Sequence, residues 1–268
     1  MWYDIYSTKF GLLLRCEIGC SHIYLLVWFD TDSTNVQLLV WFDTDSSKLQ
    51  IKVWFDMVSI MLHLFDWFDM HSTKLYFLVW FDTDNTEIDL LVWFDMDGNN
   101  LGLLVWCEVH SIYIHLEWFD TESTNLQLLV WFHTDSTKLQ LLMWFDMDST
   151  KLHILLLFDI ESTKLHFLVW IDMDSTMSQL LLRFDIGSTN LHLLVLLDLD
   201  ITKLDFLVWF DIDSTKLQLL VWFDMVSTNL KLLVSFDIDS TKLQLLVWFG
   251  MYSTKLQFVV WFVMYSTK

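Results

Sequence analysis

The chain has 268 residues, a formal net charge of −20, a 54% hydrophobic content, no proline and, read along the sequence, no alanine. So apolar a composition excludes simple disorder. An acid excess with no basic stripe excludes the usual nucleic-acid binder. Alanine is ordinarily among the commonest residues, so its absence points to copying from a founder unit.

That unit approximates W-F-D-[MTI]-D-S-T-K-L-Q-L-L-V, thirteen slots in all, as in Trp209 to Val221. Its Trp slot starts at Trp2, passes through Arg15 and Trp28, and recurs once per unit to Trp106. The unit from Cys107 to Trp118 is one residue short, after which the period resumes to Trp261. All 16 tryptophans occupy this slot. Residues 1–268 therefore read as a single tandem array, in which the fold is decided by how one small unit stacks on the next. Residues 107–118 are the candidate irregularity or sub-array boundary.

The opening, MWYDIYSTKFGLLLR, lacks the basic stretch, long apolar run and cleavage site of a secretory signal. The default expectation is a cytoplasmic chain. Cys16 and Cys107 fall in the Phe slot and Cys20 in the Ser slot. Three cysteines without disulfide or metal-ligand spacing define no redox compartment.

Within each unit K-L-Q-L-L-V-W-F is an apolar run of strand length, bounded by the polar D-x-D-S-T. A continuous helix is disfavoured, because thirteen steps of about 100° each leave successive copies facing different directions. The predicted class is all-β. In the strand Leu217 to Phe223, Leu217, Leu219, Val221 and Phe223 face one way and Gln218, Leu220 and Trp222 the other. An antiparallel β-meander keeps this parity if Phe223 pairs with Leu230, leaving a turn at Val226-Ser227 or over Met225 to Thr228. Asp97-Gly98 supplies a favourable turn dipeptide at the matching place. About twenty such strands would span roughly 95 Å, so the sheet must curl or fold into a sandwich or barrel. The alternative is a parallel β-solenoid with one or two units per coil, which would stack Asp over Asp and incur repulsion unless cations bind. In the meander, the missing residue moves Trp118 to the opposite face unless a bulge or altered turn absorbs it.

Val208 to Thr215, V-W-F-D-I-D-S-T, resembles the first motif of the haloacid dehalogenase-type phosphohydrolases, four apolar residues followed by D-x-D-x-T. The resemblance implies a nucleophile at Asp211, a general acid/base at Asp213, bound Mg²⁺ and a doubly wound sheet with helices. The family's separate Lys and further acidic pair are not recognisable, and the resemblance covers eight residues. The residues themselves read as a strand running into an acidic segment, and no catalytic or cofactor-binding residue is assigned. The Asp pairs Asp30/Asp32, Asp43/Asp45 and Asp237/Asp239 share the D-x-D opening of calcium loops but lack their Gly and Glu, so any Ca²⁺ binding is expected to be weak. His63, His115, His153, His166 and His192 all occupy the Gln slot; their spacing is inherited from the repeat, and no metal site is assigned.

Substitutions between units follow the genetic code. The Trp slot changes to Arg15, Leu157, Arg183, Leu196 and Ser235, each one nucleotide from the Trp codon. If that slot were buried, an unpaired arginine would cost several kcal/mol (roughly). The expected function is therefore none of a specific biochemical kind: a translated 39-nucleotide minisatellite, not an enzyme, with no small-molecule substrate. The alternative is a structural, self-assembling β-repeat protein, supported by apolar windows rich in Val, Trp and Phe that favour self-association. A further alternative is a membrane-associated β-repeat protein with Trp-Phe girdles. Leu243 to Thr267 carries Lys255 as its one charge, but that lysine is central and the stretch makes a poor spanning helix.

Overall fold

The computed structural model describes residues 2–7, 9–110 and 115–265. The chain is extended and paired almost throughout, as β1 (Trp2–Ser7), β2 (Phe10–His110) and β3 (His115–Tyr265) in the order β1-β2-β3. Pairing is parallel, and β1 lies in register on the segment two units further on, from Trp2 opposite Trp28 to Ser7 opposite Ser33. The same offset recurs in the side chains. Trp28 stacks on Trp54 at 4.9 Å and Trp54 on Trp80 at 4.6 Å between ring centroids. Two units therefore make one coil, and successive coils form a parallel β-solenoid.

The antiparallel meander expected from the sequence is not formed. Phe223 stacks not against Leu230 but on Phe249, at 4.8 Å and an interplanar angle of 1°. The physical reason is burial. A meander leaves a long apolar face to be covered by further folding, whereas two units of one coil close their apolar faces on each other at once. Phe68 and Phe77 meet at 4.7 Å in a tilted contact although nine residues apart, because the chain turns between them. Phe158 and Phe167 repeat the arrangement at 5.0 Å.

The alternation read from Leu217 to Phe223 is present: those four odd positions are buried and Gln218 and Trp222 are exposed. It continues further than the sequence suggested. Met225 and Ser227 are also buried, with Asp224 half-buried and Val226 exposed at the alternate positions. The expected turn at Val226-Ser227 is thus straight strand. The corner falls one residue later, where two successive residues face out, as at Thr73-Lys74, Thr150-Lys151 and Thr163-Lys164. Among the described residues, the thirteen-residue units contain one such skipped alternation each, which reconciles an odd period with a constant interior.

The Ser-Thr-Lys composition suits this corner. The inward Ser hydroxyl donates to the carbonyl two residues on, as Ser214 to Lys216 (2.9 Å) and Ser149 to Lys151 (2.8 Å). The Thr hydroxyl donates to the Thr carbonyl of the preceding coil, as Thr228 to Thr202 (2.7 Å) and Thr254 to Thr228 (2.6 Å). Side chains thereby satisfy carbonyls that the bend takes out of ideal pairing. No described residue has a left-handed φ, so the corners do not need glycine. Gly98 is required for another reason: a Cβ there would run into the Ser72 carbonyl oxygen.

The short unit is accommodated within one coil. Between β2 and β3 the offset falls by one, from Leu90 opposite His115 to His110 opposite Asp135. Trp118 keeps its column, stacking on Trp93 at 4.8 Å and on Trp144 at 4.7 Å. Part of the candidate irregularity, residues 111–114, lies outside the described residues.

Candidate functional site

The winding sorts the slots of the unit into an interior and an exterior. Phe, Val, the two Leu flanking Gln, the variable slot between the Asp pair, and Ser face in; Trp, both Asp, Thr, Lys, Gln and the third Leu face out. Every outward slot becomes a column of like side chains parallel to the solenoid axis, at about the 4.8 Å strand spacing. Any surface function must be built from these columns.

The indole column carries Trp41, Trp67, Trp93, Trp118, Trp144 and Trp170 on one face, and Trp28, Trp54, Trp80, Trp106 and Trp131 on the other. Stacking covers the ring faces, and the indole nitrogens of Trp80, Trp93, Trp106, Trp118, Trp144 and Trp170 are buried as well. Since this slot faces out, Trp→Arg is tolerated: Arg183 pairs with Asp185 at 3.0 Å, and Arg15 pairs with Glu17 and lies over the Trp41 ring at 5.5 Å. The cost expected for a buried arginine does not arise.

Stacking of acids is the main electrostatic feature. The Asp82 carboxyl is raised above its ordinary range by partial burial, then by Glu108, Asp56 and Asp84, with His110 opposing. Asp95, Asp120, Asp172 and Asp211 are raised likewise, burial first and neighbouring acids after. The pairs Asp30/Asp32, Asp43/Asp45 and Asp237/Asp239 are members of these columns. Among the described residues no three His, Cys, Asp or Glu side chains converge on a point that could hold a metal ion.

The Gln and outer Leu columns border a long open groove on each face. One, of about 1110 Å³, runs past Gln50, Tyr76, Gln127, His153 and Gln179. The other, of about 810 Å³, runs past Gln140, His166, His192, Gln218 and Gln244. Their polar groups bond along the column: Gln218 donates to Gln244 at 3.1 Å, and His153 and Gln179 are 3.0 Å apart. His166 and His192 stack at 4.6 Å, and His166 is lowered from the ordinary imidazole range by burial and then by His192. His63 is half-buried on the same kind of column. The His115 side chain lies outside the described residues. His63, His153, His166 and His192 are thus spread along the surface, whereas the backbone register sets His115 opposite Leu90, in an inward Leu slot and not in the Gln slot expected from the sequence.

Two carboxylates occupy the inward Val slot, a feature the sequence reading passed over. Asp66 is buried with both oxygens unbonded, and its carboxyl is pushed well above the ordinary range by burial. Glu117 is buried beside Cys107, whose thiol donates to it at 3.4 Å. Burial raises Glu117 to about 7, partly offset by the Cys107 hydrogen bond. Burial, then Glu117, pushes the Cys107 thiol well up. A thiol held protonated is a poor nucleophile. The sequence signal was available: both acids fall where their column otherwise holds Val92 and Met143.

No protein-family model, curated protein or solved structure matches the chain.

Asp211 and Asp213 lie in two adjacent acid columns, and the described residues contain no helix. The doubly wound sheet implied by the phosphohydrolase resemblance is therefore absent from them. No described helix is long and apolar enough to cross a membrane. Closed antiparallel pairing with alternating aromatic rims is replaced by parallel coils with Trp outside and Phe inside.

Proposed function

We propose that this chain is a structural, self-associating β-solenoid whose repeat serves to extend a rod of constant cross-section, with no catalytic role and no specific small-molecule ligand. The observation that supports it most is the contrast between slots. The outward Trp, Asp and Gln slots accept Arg15, Arg183, Ser235, His133, Gly187 and Lys231. The buried Phe, Val and Leu slots vary among Phe, Leu, Ile, Val, Met and Cys, with Asp66, Glu117 and Ser178 as the polar exceptions among the described residues. Tolerance that follows burial is what a packed core imposes. The test is whether silent differences between unit-coding DNA copies outnumber replacement differences at inward slots more than at outward ones. Equal ratios in both classes would defeat the proposal. A purified chain whose inward-slot amides are not protected from hydrogen exchange would defeat it physically.

A second reading, an unselected minisatellite product, is favoured by Asp66 and Glu117, which leave carboxylate oxygens unbonded in the core. Targeted mass spectrometry for peptides from Leu217 to Lys231 separates the two, since failure to find them in cells carrying the transcript favours an unused frame.

A further inference from the structure

We infer that the side of the solenoid carrying Lys138 to Asp148, with the matching strands of the next three coils, pairs with the same side of a second copy of this chain. The two solenoids then lie side by side and parallel, related by a two-fold axis. This rests on the structural reading above and assigns that reading its contact surface.

The first observation is the order of the outward columns. From one Thr-Lys corner to the next they run Lys, Gln, Leu, Trp, Asp, Asp, as Lys138, Gln140, Leu142, Trp144, Asp146 and Asp148 do. Base and acid thus stand at opposite edges of the face, up to about 34 Å apart along the strand, too far to neutralise each other within one copy. Among the described residues Lys138, Lys164 and Lys216 have no ion-pair partner. A two-fold axis parallel to the solenoid, midway between the Leu and Trp columns, reverses the order on the second copy at equal height. Leu then meets Trp, Gln meets the first Asp, and Lys meets the second.

The second observation is that substitutions on this face keep the match. Lys138 and Lys164 face Asp148 and Asp174 of the second copy, and Asn190 faces Asp200. Where histidine replaces Gln, His166 and His192 face Asp172 and Asp198. Gln140 and Gln218 face Asp146 and Asp224, so every acid of these four coils gains a donor. The centre is apolar throughout: Leu168, Trp170, Leu194 and Leu196 are half-buried, and Trp222 is 44% exposed. The smaller Leu column borders the groove of about 810 Å³, so the indoles of the second copy meet a recess.

Alternative pairings lack this match. An antiparallel pair sets each column on itself, acid on acid, although the Asp172 carboxyl is already raised by burial and then by Asp198, Asp146 and Asp174. On the opposite face the parallel operation sets Asp205 against Asp211 and brings Arg183 and Ser235 to the centre. Towards the N-terminus Glu87 and Asp89 occupy the Lys and Gln slots, which confines the match to the four coils. Those coils cover about 34 Å by about 19 Å, roughly 1,300 Å² over both copies, which is in the range of stable interfaces.

The experiment is sedimentation velocity over a concentration series of the full chain in about 0.15 M NaCl, with hydrogen exchange of the inner amides. The wild type is expected to dimerise. Lys138→Glu with Lys164→Glu sets carboxylates against Asp148 and Asp174 and should raise the dimer Kd by about tenfold or more. Asp148→Lys with Asp174→Lys should weaken the dimer likewise. An equimolar mixture of the two variants should regain wild-type association, because each new Glu then meets a new Lys. Lys151→Glu with Lys203→Glu, on the opposite face, should dimerise as the wild type does. A Kd that charge reversal leaves unchanged or tightens overturns the inference, as does a mixture no tighter than its components or equal loss in the opposite-face variant. A wild-type chain that stays monomeric with protected inner amides overturns the pairing alone. One with unprotected amides overturns the structural reading as well.

Discussion

Replacing Glu117 by Gln should remove a pH-dependent weak point in the solenoid. Glu117 lies in the Val slot between Val92 and Met143, facing Cys107, and its carboxyl is raised by burial from 4.5 to about 7. A raised acid binds protons more tightly folded than unfolded, so stability falls as pH rises through the interval between the two values. The penalty is absent well below 4.5 and complete above 7. Across the full interval it amounts to about 3 kcal/mol, of which about 2 kcal/mol accrues between pH 5.5 and pH 8. Cys107, raised well above 9.0, stays protonated over that range. Repeat arrays open locally rather than all at once, so the suitable assay is native-state hydrogen exchange of the amides in 92–110 and 115–130. Corrected for intrinsic rates, the opening free energy of the wild type should fall by about 2 kcal/mol more than that of Glu117→Gln from pH 5.5 to 8. Parallel pH dependences in the two proteins would refute the reasoning and mean that water reaches this carboxylate.

Asp66→Val restores the apolar residue of its column and should raise the local opening free energy by about 1–4 kcal/mol near neutral pH, read from exchange of amides in 53–79. Phe145→Ala should cost about 3–5 kcal/mol in the same assay, since Phe145 is fully buried and stacks on Phe119 at 4.8 Å. Phe145→Leu should cost much less, because Leu197 already serves in that column. Ser214→Ala removes the hydroxyl bonded to the Lys216 carbonyl and should lower protection at that corner by about 1 kcal/mol. With Asp82, Asp95, Asp120, Asp172 and Asp211 all raised, thermal stability should fall as pH rises through and above the ordinary carboxylate range, and added NaCl should reduce that fall.

Much of the cross-section was legible in the sequence. The inward set Leu217, Leu219, Val221 and Phe223 and the outward set Gln218, Leu220 and Trp222 follow from alternation alone. The corner was misplaced because D-x-D-S reads as polar throughout. Its alternate positions carry a small or apolar residue, as Met225 and Ser227 do, and that continued alternation was the missed signal. Parallel winding was not separable from a meander by parity, since each needs one skipped alternation per unit. What decides between them is the closing of the apolar segments on either side of each corner over one core, as Phe68 and Phe77 of a single unit do across the Thr73-Lys74 corner. Asp66 and Glu117 do not stand out in the sequence, because an acid in the Val slot is a one-nucleotide change like those at outward slots and only the face of the slot sets it apart.

The doubled outward pair at the Thr-Lys corner makes length a nearly free variable. Gaining or losing one whole unit rotates everything downstream by half a coil and changes the height by about 2.4 Å, yet no side chain exchanges inside for outside. A copying error of a whole unit is thus structurally quiet, while an error of a single residue must be absorbed at once, as in the coil containing Cys107 and Trp118. Alleles differing in unit number would encode rods of graded length with the same walls.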